Sequence, residues 1–394
     1  MRTPLRVLVV SALLTGLTII TPTPAHADEI RDAQWYLAEF HVRDAHKLST
    51  GAGVRIGVVD TGVAADHPDL AGAVNGSDFV AGAGDPLTDP ADHGTAIAAV
   101  AAGRNDSDGV LGVAPDAEVV SVGLDPGTDP ATLPELLPEA ITALLQDRVD
   151  IIMVTAPVVL PPDLPEIDNP AIPAGVPVVV NAGVPLAGAI TVVGTDHQGQ
   201  RWQSTPPLSP GADFVVAAPA VDIPHAGANG EYTPADDDLG YATAMVAGSL
   251  ALLKARWPQI DGDLLRELLA QHGTVGVPEG NYDDQLGFGM VDPGKLLQVD
   301  VPGLEPVDPL PPGGTGQGGG DRTETVTTAI DTSAAHGTLA SIIAVAGLAL
   351  LAAMVVVTRT VDARMRRRPV APGGSGSVST VAPKLPTHPT GTEG

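Results

Sequence analysis

The residues best placed to do chemistry in this sequence are Asp60 and His93. Asp60 directly follows the β-branched run 54–59, which predicts a buried parallel strand with a carboxylate at its carboxyl end. Ligand-binding and catalytic groups of open α/β sheets lie at that edge. His93 stands just before a helical stretch of small apolar residues, 96–102. A single histidine is more often structural than catalytic, so the pair has to be judged by what surrounds it.

The carboxylate in Asp60-Thr61-Gly62 has a second interpretation, because aspartic proteases also carry Asp-Thr-Gly. Those enzymes need two such carboxylates that share a proton. The other candidate is Asp331-Thr332-Ser333, which has no flanking strands. The sequence therefore disfavours aspartic protease chemistry. Gly318-Gly319-Gly320 is equally poor as a phosphate loop, since no strand precedes it and no lysine follows.

The chain is organised around the uncharged stretch 241–253, whose residues are small or aliphatic on every side. A helix that is apolar all round must lie in the middle of a large domain. At about thirteen residues the stretch is too short to cross a bilayer. The acidic run Asp236-Asp237-Asp238 precedes it and suits the positive end of a helix dipole.

This helix resembles the nucleophile helix of subtilisin-like serine proteases, written Gly-Thr-Ser-x-Ala-x-Pro-x-Val-Ala-Gly. If the family motif is aligned with this sequence on Val246-Ala247-Gly248, the nucleophilic serine of the motif corresponds to Gly240. A register shifted by two residues places it on Ala242. Neither register supplies a hydroxyl, and the nearest ones, Thr243 and Ser249, match neither position. The resemblance therefore predicts that the helix is kept and the nucleophile is lost.

Asp60, His93 and this helix follow the order of the subtilisin triad. In the family the aspartate orients the histidine, the histidine takes the proton from serine, and an asparagine helps to hold the oxyanion. The family motif Ala-Ala-Gly-Asn corresponds to Asn181-Ala182-Gly183-Val184 in this sequence, so Val184 stands at the asparagine position. Other family words occur in order across residues 33–297: His67-Pro68-Asp69-Leu70, Gly112-Val113-Ala114-Pro115, Ala217-Ala218-Pro219 and Gly287-Phe288-Gly289-Met290-Val291-Asp292.

The substrate-pairing segment of the family, similar to Asn-Met-Ser-Leu-Gly, reads Met153-Val154-Thr155-Ala156-Pro157. Pro157 has no N–H to donate to a peptide laid along that edge. The sequence predicts short strands that alternate with helices, the pattern of a doubly wound parallel sheet. Together with the resemblance, this predicts a subtilisin-like three-layer α/β fold with one C-terminal transmembrane helix. The predicted elements are strands at 54–59, 119–123, 151–155, 176–181 and 190–194, and helices at 96–102, 133–146 and 241–253.

Both ends of the chain carry patterns typical of export and membrane anchoring. Residues 1–27 predict a cleaved signal peptide, with a positive start, an apolar centre and the small-x-small site Ala25-His26-Ala27. Residues 28–300 form the predicted subtilisin-like domain, and 301–338 a Pro/Gly-rich linker. Apolar residues 339–358 predict a membrane helix. The arginines that follow place the disordered tail, 359–394, in the cytoplasm and the domain outside the membrane.

With the signal peptide, the Gln34-Trp35-Tyr36-Leu37 start, the proline-rich linker and the single membrane helix, the chain most resembles the mycosins, membrane-anchored subtilases of type VII secretion systems. It departs from them in having no cysteine. That composition also excludes a disulfide framework and thiol chemistry. A net charge of −27 argues against a nucleic-acid partner. The residues predict no cofactor and no metal, and no loop shows a recognisable calcium-ligand pattern.

Three functions follow from this resemblance. The favoured one is a catalytically impaired pseudoprotease that serves as a structural component of a type VII secretion membrane complex. An active serine endopeptidase requires an unrecognised hydroxyl to act as the nucleophile. A peptide-binding ectodomain would bind peptides in the substrate cleft of the former protease without cleaving them. Neighbouring genes distinguish the first from the third, and reaction with a serine-directed probe identifies the second.

Overall fold

The computed structural model describes residues 30–79, 85–104, 109–158, 160–161 and 164–307. The predicted signal peptide, the linker beyond residue 307, the membrane helix and the tail lie outside these residues. Among the residues that are described, no helix is both long and apolar enough to cross a bilayer.

The strands are β1 (Arg55–Asp60), β2 (Val74–Gly76), β3 (Glu118–Gly123), β4 (Ile151–Val154), β5 (Val178–Asn181), β6 (Ile190–Thr195), β7 (Val215–Pro219), β8 (Ile223–Ala226), β9 (Tyr232–Asp236), β10 (Thr274–Val275) and β11 (Met290–Val291). The helices are α1 (Tyr36–Glu39), α2 (Val42–Ala45), α3 (Gly94–Ala102), α4 (Leu133–Gln146), α5 (Leu239–Arg256), α6 (Gly262–His272) and α7 (Pro293–Leu296). One helical turn at residues 30–33 precedes α1.

Nine strands form one sheet in the order β10-β11-β7-β6-β5-β4-β1-β3-β2, and β8 and β9 form a separate antiparallel pair. All neighbours in the large sheet are parallel except β10 and β11. After β1 the chain forms β2 and β3 on one side of that strand. It then passes through α4 and forms β4 on the other side of β1. β1 is therefore at the switch point of the sheet, where the connections at the carboxyl edge diverge and leave a crevice.

Residues of β1 alternate between the two faces of the sheet because successive side chains of a strand point in opposite directions. Ile56 and Val58 belong to one core cluster, which also contains the buried residues of α3 and α5. Val59 belongs to a second cluster with the buried residues of α4. The sheet thus lies between two helical layers, and the predicted three-layer architecture is confirmed.

The helix α5 is the central element, as the sequence predicts. Every residue from Leu239 to Leu253 is buried, and the last turn carries the cations Lys254 and Arg256. The helix is longer at both ends than the predicted range 241–253. Gly248 lies where a Cβ would be only 2.7 Å from the Cβ of Val113, so a glycine lets this layer pack closely.

Candidate active site

Asp60 ends β1 and is fully buried, so its charge depends on the donors around it. Its Oδ1 accepts a hydrogen bond from the Thr61 N–H at 2.6 Å, whereas the Thr61 hydroxyl, 3.2 Å from the same oxygen, makes its shorter bond to Asp89 Oδ1 at 2.7 Å. Its Oδ2 accepts one from the Thr155 hydroxyl at 2.6 Å. His93 Nδ1 donates to Oδ1 at 2.8 Å. Both carboxylate oxygens are therefore satisfied, and the imidazole is one donor among several.

His93 is held against Asp60 by the start of α3. Gly94, the first residue of that helix, has its Cα beside the Gly62 carbonyl, where a side chain would collide with backbone. The glycine allows the helix start to approach the end of β1 closely enough for the imidazole to reach the carboxylate. A hydrogen bond from the Gly94 N–H to the Thr61 hydroxyl, at 3.3 Å, supports this approach. Asp60 and His93, 33 residues apart in sequence, are thus brought into direct contact.

The second ring nitrogen of His93 faces a carboxylate from α5. Nε2 lies 3.4 Å from Asp238 Oδ1, the separation of an ion pair, and makes no hydrogen bond of good geometry within the described residues. Burial opposes charge on the ring, but the attraction of Asp60 and of Asp238 outweighs it and raises the pKa of His93 to about 11. At neutral pH the imidazole is therefore an imidazolium between two carboxylates.

The positions that the two registers give for a nucleophile lie at the start of α5. Gly240 carries no side chain, and its N–H donates to Asp238 Oδ1 at 2.6 Å. Ala242, the alternative position, is fully buried and apolar. The nearby hydroxyls are fully buried as well: Thr243 donates to Asn181 Oδ1 and Ser249 to the Met245 carbonyl, each at 2.6 Å. Both hydroxyls are therefore used inside the core.

The predicted oxyanion position also lacks a donor side chain. Val184 is a partly buried apolar residue packed against the α4 side of the sheet. Asn181, three residues earlier, ends β5 and turns its amide oxygen to Thr243 of α5. The asparagine thus joins the sheet to the central helix instead of replacing the amide that Val184 lacks.

A second histidine network lies beside the first. His225 of β8 is near Asp92 through Nε2 at 3.3 Å, and near Asp236 through Nδ1 at 3.5 Å. Tyr241 contacts His225 Nδ1 at 3.0 Å and donates its hydroxyl to Asp236 at 2.8 Å. The hydrogen bond to Asp236 and the charge of Asp92 outweigh burial and raise the pKa of His225. The hydrogen bond with His225 lowers the pKa of Asp236 to about 2.

The sequence did not single out Asp238 or Thr155 as parts of the site. The sequence explains Asp238 through the helix dipole alone, although an aspartate directly before the first residue of a helix is also a typical N-cap. Thr155 was considered only in the substrate-pairing segment. Its contact with Asp60 depends on the parallel pairing of β1 with β4, which sequence spacing does not give. Within the described ranges, no group of three or more histidines or carboxylates is arranged to hold a metal ion.

Comparison with known proteins places this geometry in a family context. Residues 51–155, which contain Asp60 and His93, match the model of the Subtilase family, Peptidase_S8. Mycosin-1 of Mycobacterium tuberculosis is 29% identical over 352 residues, which cover 72% of this chain and 77% of the relative. Subtilisin E of Bacillus subtilis is 28% identical over 242 residues, covering 57% of this chain and 61% of the relative.

Solved structures show the same fold. The structure of MycP1, a serine protease described as an essential component of the type VII (ESX-1) secretion system, has a TM-score of 0.53 at 24% identity; the match covers 67% of this chain and 88% of that one. The periplasmic assembly of the ESX-5 inner membrane complex has a TM-score of 0.51 at 18% identity, covering 75% and 89%. The resemblance to subtilases, and among them to the mycosins, is therefore confirmed.

Proposed function

We propose that this chain is a mycosin-like subtilase homologue that does not cleave peptides and acts as a structural component of a type VII secretion system. The proposal that the chain does not cleave peptides is based on the environment of His93. The ring nitrogen that would receive the proton from a serine faces the Asp238 carboxylate instead, and Gly240 offers no hydroxyl beside it.

The expected loss of activity is large. Removal of the nucleophile from a serine protease triad lowers turnover by about a millionfold. Loss of one oxyanion donor, as proposed at Val184, costs roughly a hundred- to a thousandfold. The two effects need not multiply, because the first alone leaves no useful turnover. The buried hydroxyls of Thr243 and Ser249 do not supply a substitute, since both are already bonded within the core.

The role in secretion is inferred from the relatives. MycP1 is described as an essential component of its secretion system, and another neighbour belongs to an inner membrane complex assembly. A component that supports assembly needs its fold and its surface but no turnover. The loss of the nucleophile in a preserved subtilisin-like fold is compatible with such a role.

The proposal includes membrane anchoring by residues 339–358, with the domain outside the membrane and the tail, 359–394, in the cytoplasm. It is based on the apolar length of the first segment and on the arginines that follow it. Protease added to intact cells should degrade the domain and spare the tail. Degradation of the tail alone would refute this orientation.

The test of the structural role is complementation. Deletion of the gene should impair type VII secretion, and a full-length Asp60→Asn, His93→Gln variant should restore it to the wild-type level. Asp237→Asn, which changes one neighbouring charge outside the Asp60–His93 pair, is the matched control. If a folded, membrane-localised double variant does not restore secretion, the pair performs chemistry and the structural proposal is wrong. If deletion leaves secretion intact, a peptide-binding role becomes the better account.

A further inference from the structure

The start of α5 has an arrangement that the lost serine alone does not explain. Asp238 is the N-cap of the helix, with an extended backbone (φ −149°, ψ 141°), and its Oδ1 accepts the Gly240 N–H at 2.6 Å. The same oxygen is the atom 3.4 Å from His93 Nε2. One carboxylate therefore begins the helix and also faces the ring nitrogen on which a triad depends.

A side chain at position 240 and this carboxylate compete for space. A Cβ on Gly240 would lie 2.9 Å from Asp238 Oδ1 and 2.7 Å from Ile97 Cδ1. Real Cβ atoms are almost never within 3.0 Å of a neighbouring atom, so one of the groups would have to move. The space that a side chain at position 240 would need is thus occupied by the ends of two side chains, Asp238 and Ile97.

We propose that Asp238 is the positioning residue of this cleft: its carboxylate occupies the place of the missing nucleophile beside His93 Nε2 and fixes the ring between two carboxylates. The inference rests on the proposed non-catalytic function and adds the group that holds the His93 ring in a cleft without a nucleophile. Asp238 acts through His93, and it touches no substrate.

The chemical consequence is that His93, while it is protonated, cannot serve as a general base. An imidazolium has no lone pair left to accept a proton. The charged groups acting on the ring from the described elements are Asp60 at the end of β1 and Asp238 at the start of α5. Because Asp60 is buried and held by other donors, Asp238 is the partner that can be changed with least disturbance to the core.

The acidic run provides its own controls, because its three members have different partners. Asp236 interacts with His225. Asp237 accepts the Asp222 N–H at 2.8 Å. Asp238 alone faces His93. Three single substitutions in one tripeptide therefore change the same formal charge at three separate contacts.

The test is the protonation state of each imidazole in the full-length protein, measured by ¹⁵N and ¹³C NMR after selective labelling of its ten histidines. In the wild-type protein His93 should remain an imidazolium well above neutral pH. Asp238→Asn should lower its proton affinity by about tenfold or more, equivalent to one pKa unit. Asp237→Asn should leave His93 and His225 unchanged, and Asp236→Asn should move His225 alone.

Asp238→Ser is the second variant, since asparagine and serine both keep an N-cap acceptor at the start of α5. An unchanged His93 titration in both Asp238 variants would overturn the proposal. An equal shift produced by Asp237→Asn would overturn it too, since the effect would then be one of general charge. Neither result would bear on secretion, so failure of this inference and failure of the proposed structural role are distinguishable.

Discussion

His93→Ala tests whether the pair in the cleft persists because it stabilises the fold. Asp60 is fully buried, and among the residues that the structure describes His93 is its one cationic partner, at 2.8 Å. Removal of one member of a buried ion pair costs about 3–5 kcal/mol. The bonds from Thr61 and Thr155 remain in the variant, which places the expected loss near the lower end, at about 3 kcal/mol. For a domain of this size that corresponds to a decrease in melting temperature of roughly 6–10 °C.

The assay is a double-mutant cycle with Asp60→Asn, measured by thermal and urea unfolding of the full-length protein. Without the buried charge at position 60, His93→Ala should cost only about 1 kcal/mol, the ordinary contribution of a hydrogen bond. His225→Ala, in the neighbouring network, is the control and should cost the same in both backgrounds. If the costs of His93→Ala and Asp60→Asn are additive to within about 0.5 kcal/mol, the two residues are not coupled and the stability argument is wrong.

Two further predictions concern packing and pH. Gly248→Ala should destabilise the domain by about 1–3 kcal/mol in urea unfolding, because its Cβ would collide with Val113, whereas Ser249→Ala on the same helix should have a smaller effect. The interaction of His225 with Asp236 should stabilise the fold fully below the ordinary histidine pKa and be lost as pH rises through the raised pKa of His225. At acid pH the same interaction is lost when Asp236 is protonated, and the pKa of Asp236 is lowered to about 2. The difference in melting temperature between wild type and Asp236→Asn should therefore be largest between about pH 4 and pH 6 and shrink at alkaline pH; a difference that grows with pH would contradict this sign.

The sequence predicted much of the fold because the parallel strands are short apolar runs between clear helical patterns. The helix 133–146 was predicted with the bounds that the structure gives, and β1, β3, β5 and β6 were each within two residues. The strands β2 and β7 to β11 and the helices α1, α2, α6 and α7 were not predicted. β2 is a three-residue edge strand, and β9 is largely exposed, so neither has the buried apolar run that marks a core strand.

The site was predictable only where the family words fix a position. Asp60 and His93 follow from the order of those words, and the structure brings them together. The role of Asp238 was hidden because an aspartate before a helix has an ordinary explanation in the helix dipole. Its second contact, with His93, depends on the packing of α3 against α5. Tertiary packing of that kind leaves no mark on the local sequence.

The central claim is that the cleft has no nucleophile, and reaction with a fluorophosphonate probe tests it most directly. The full-length wild-type protein should show no covalent label under conditions in which an active subtilisin is fully labelled. Gly240→Ser should react far more slowly than an active subtilisin, because Val184 at the proposed oxyanion position still has no donor side chain. Stoichiometric labelling of the wild-type protein at Thr243, Ser249 or another hydroxyl would contradict the account.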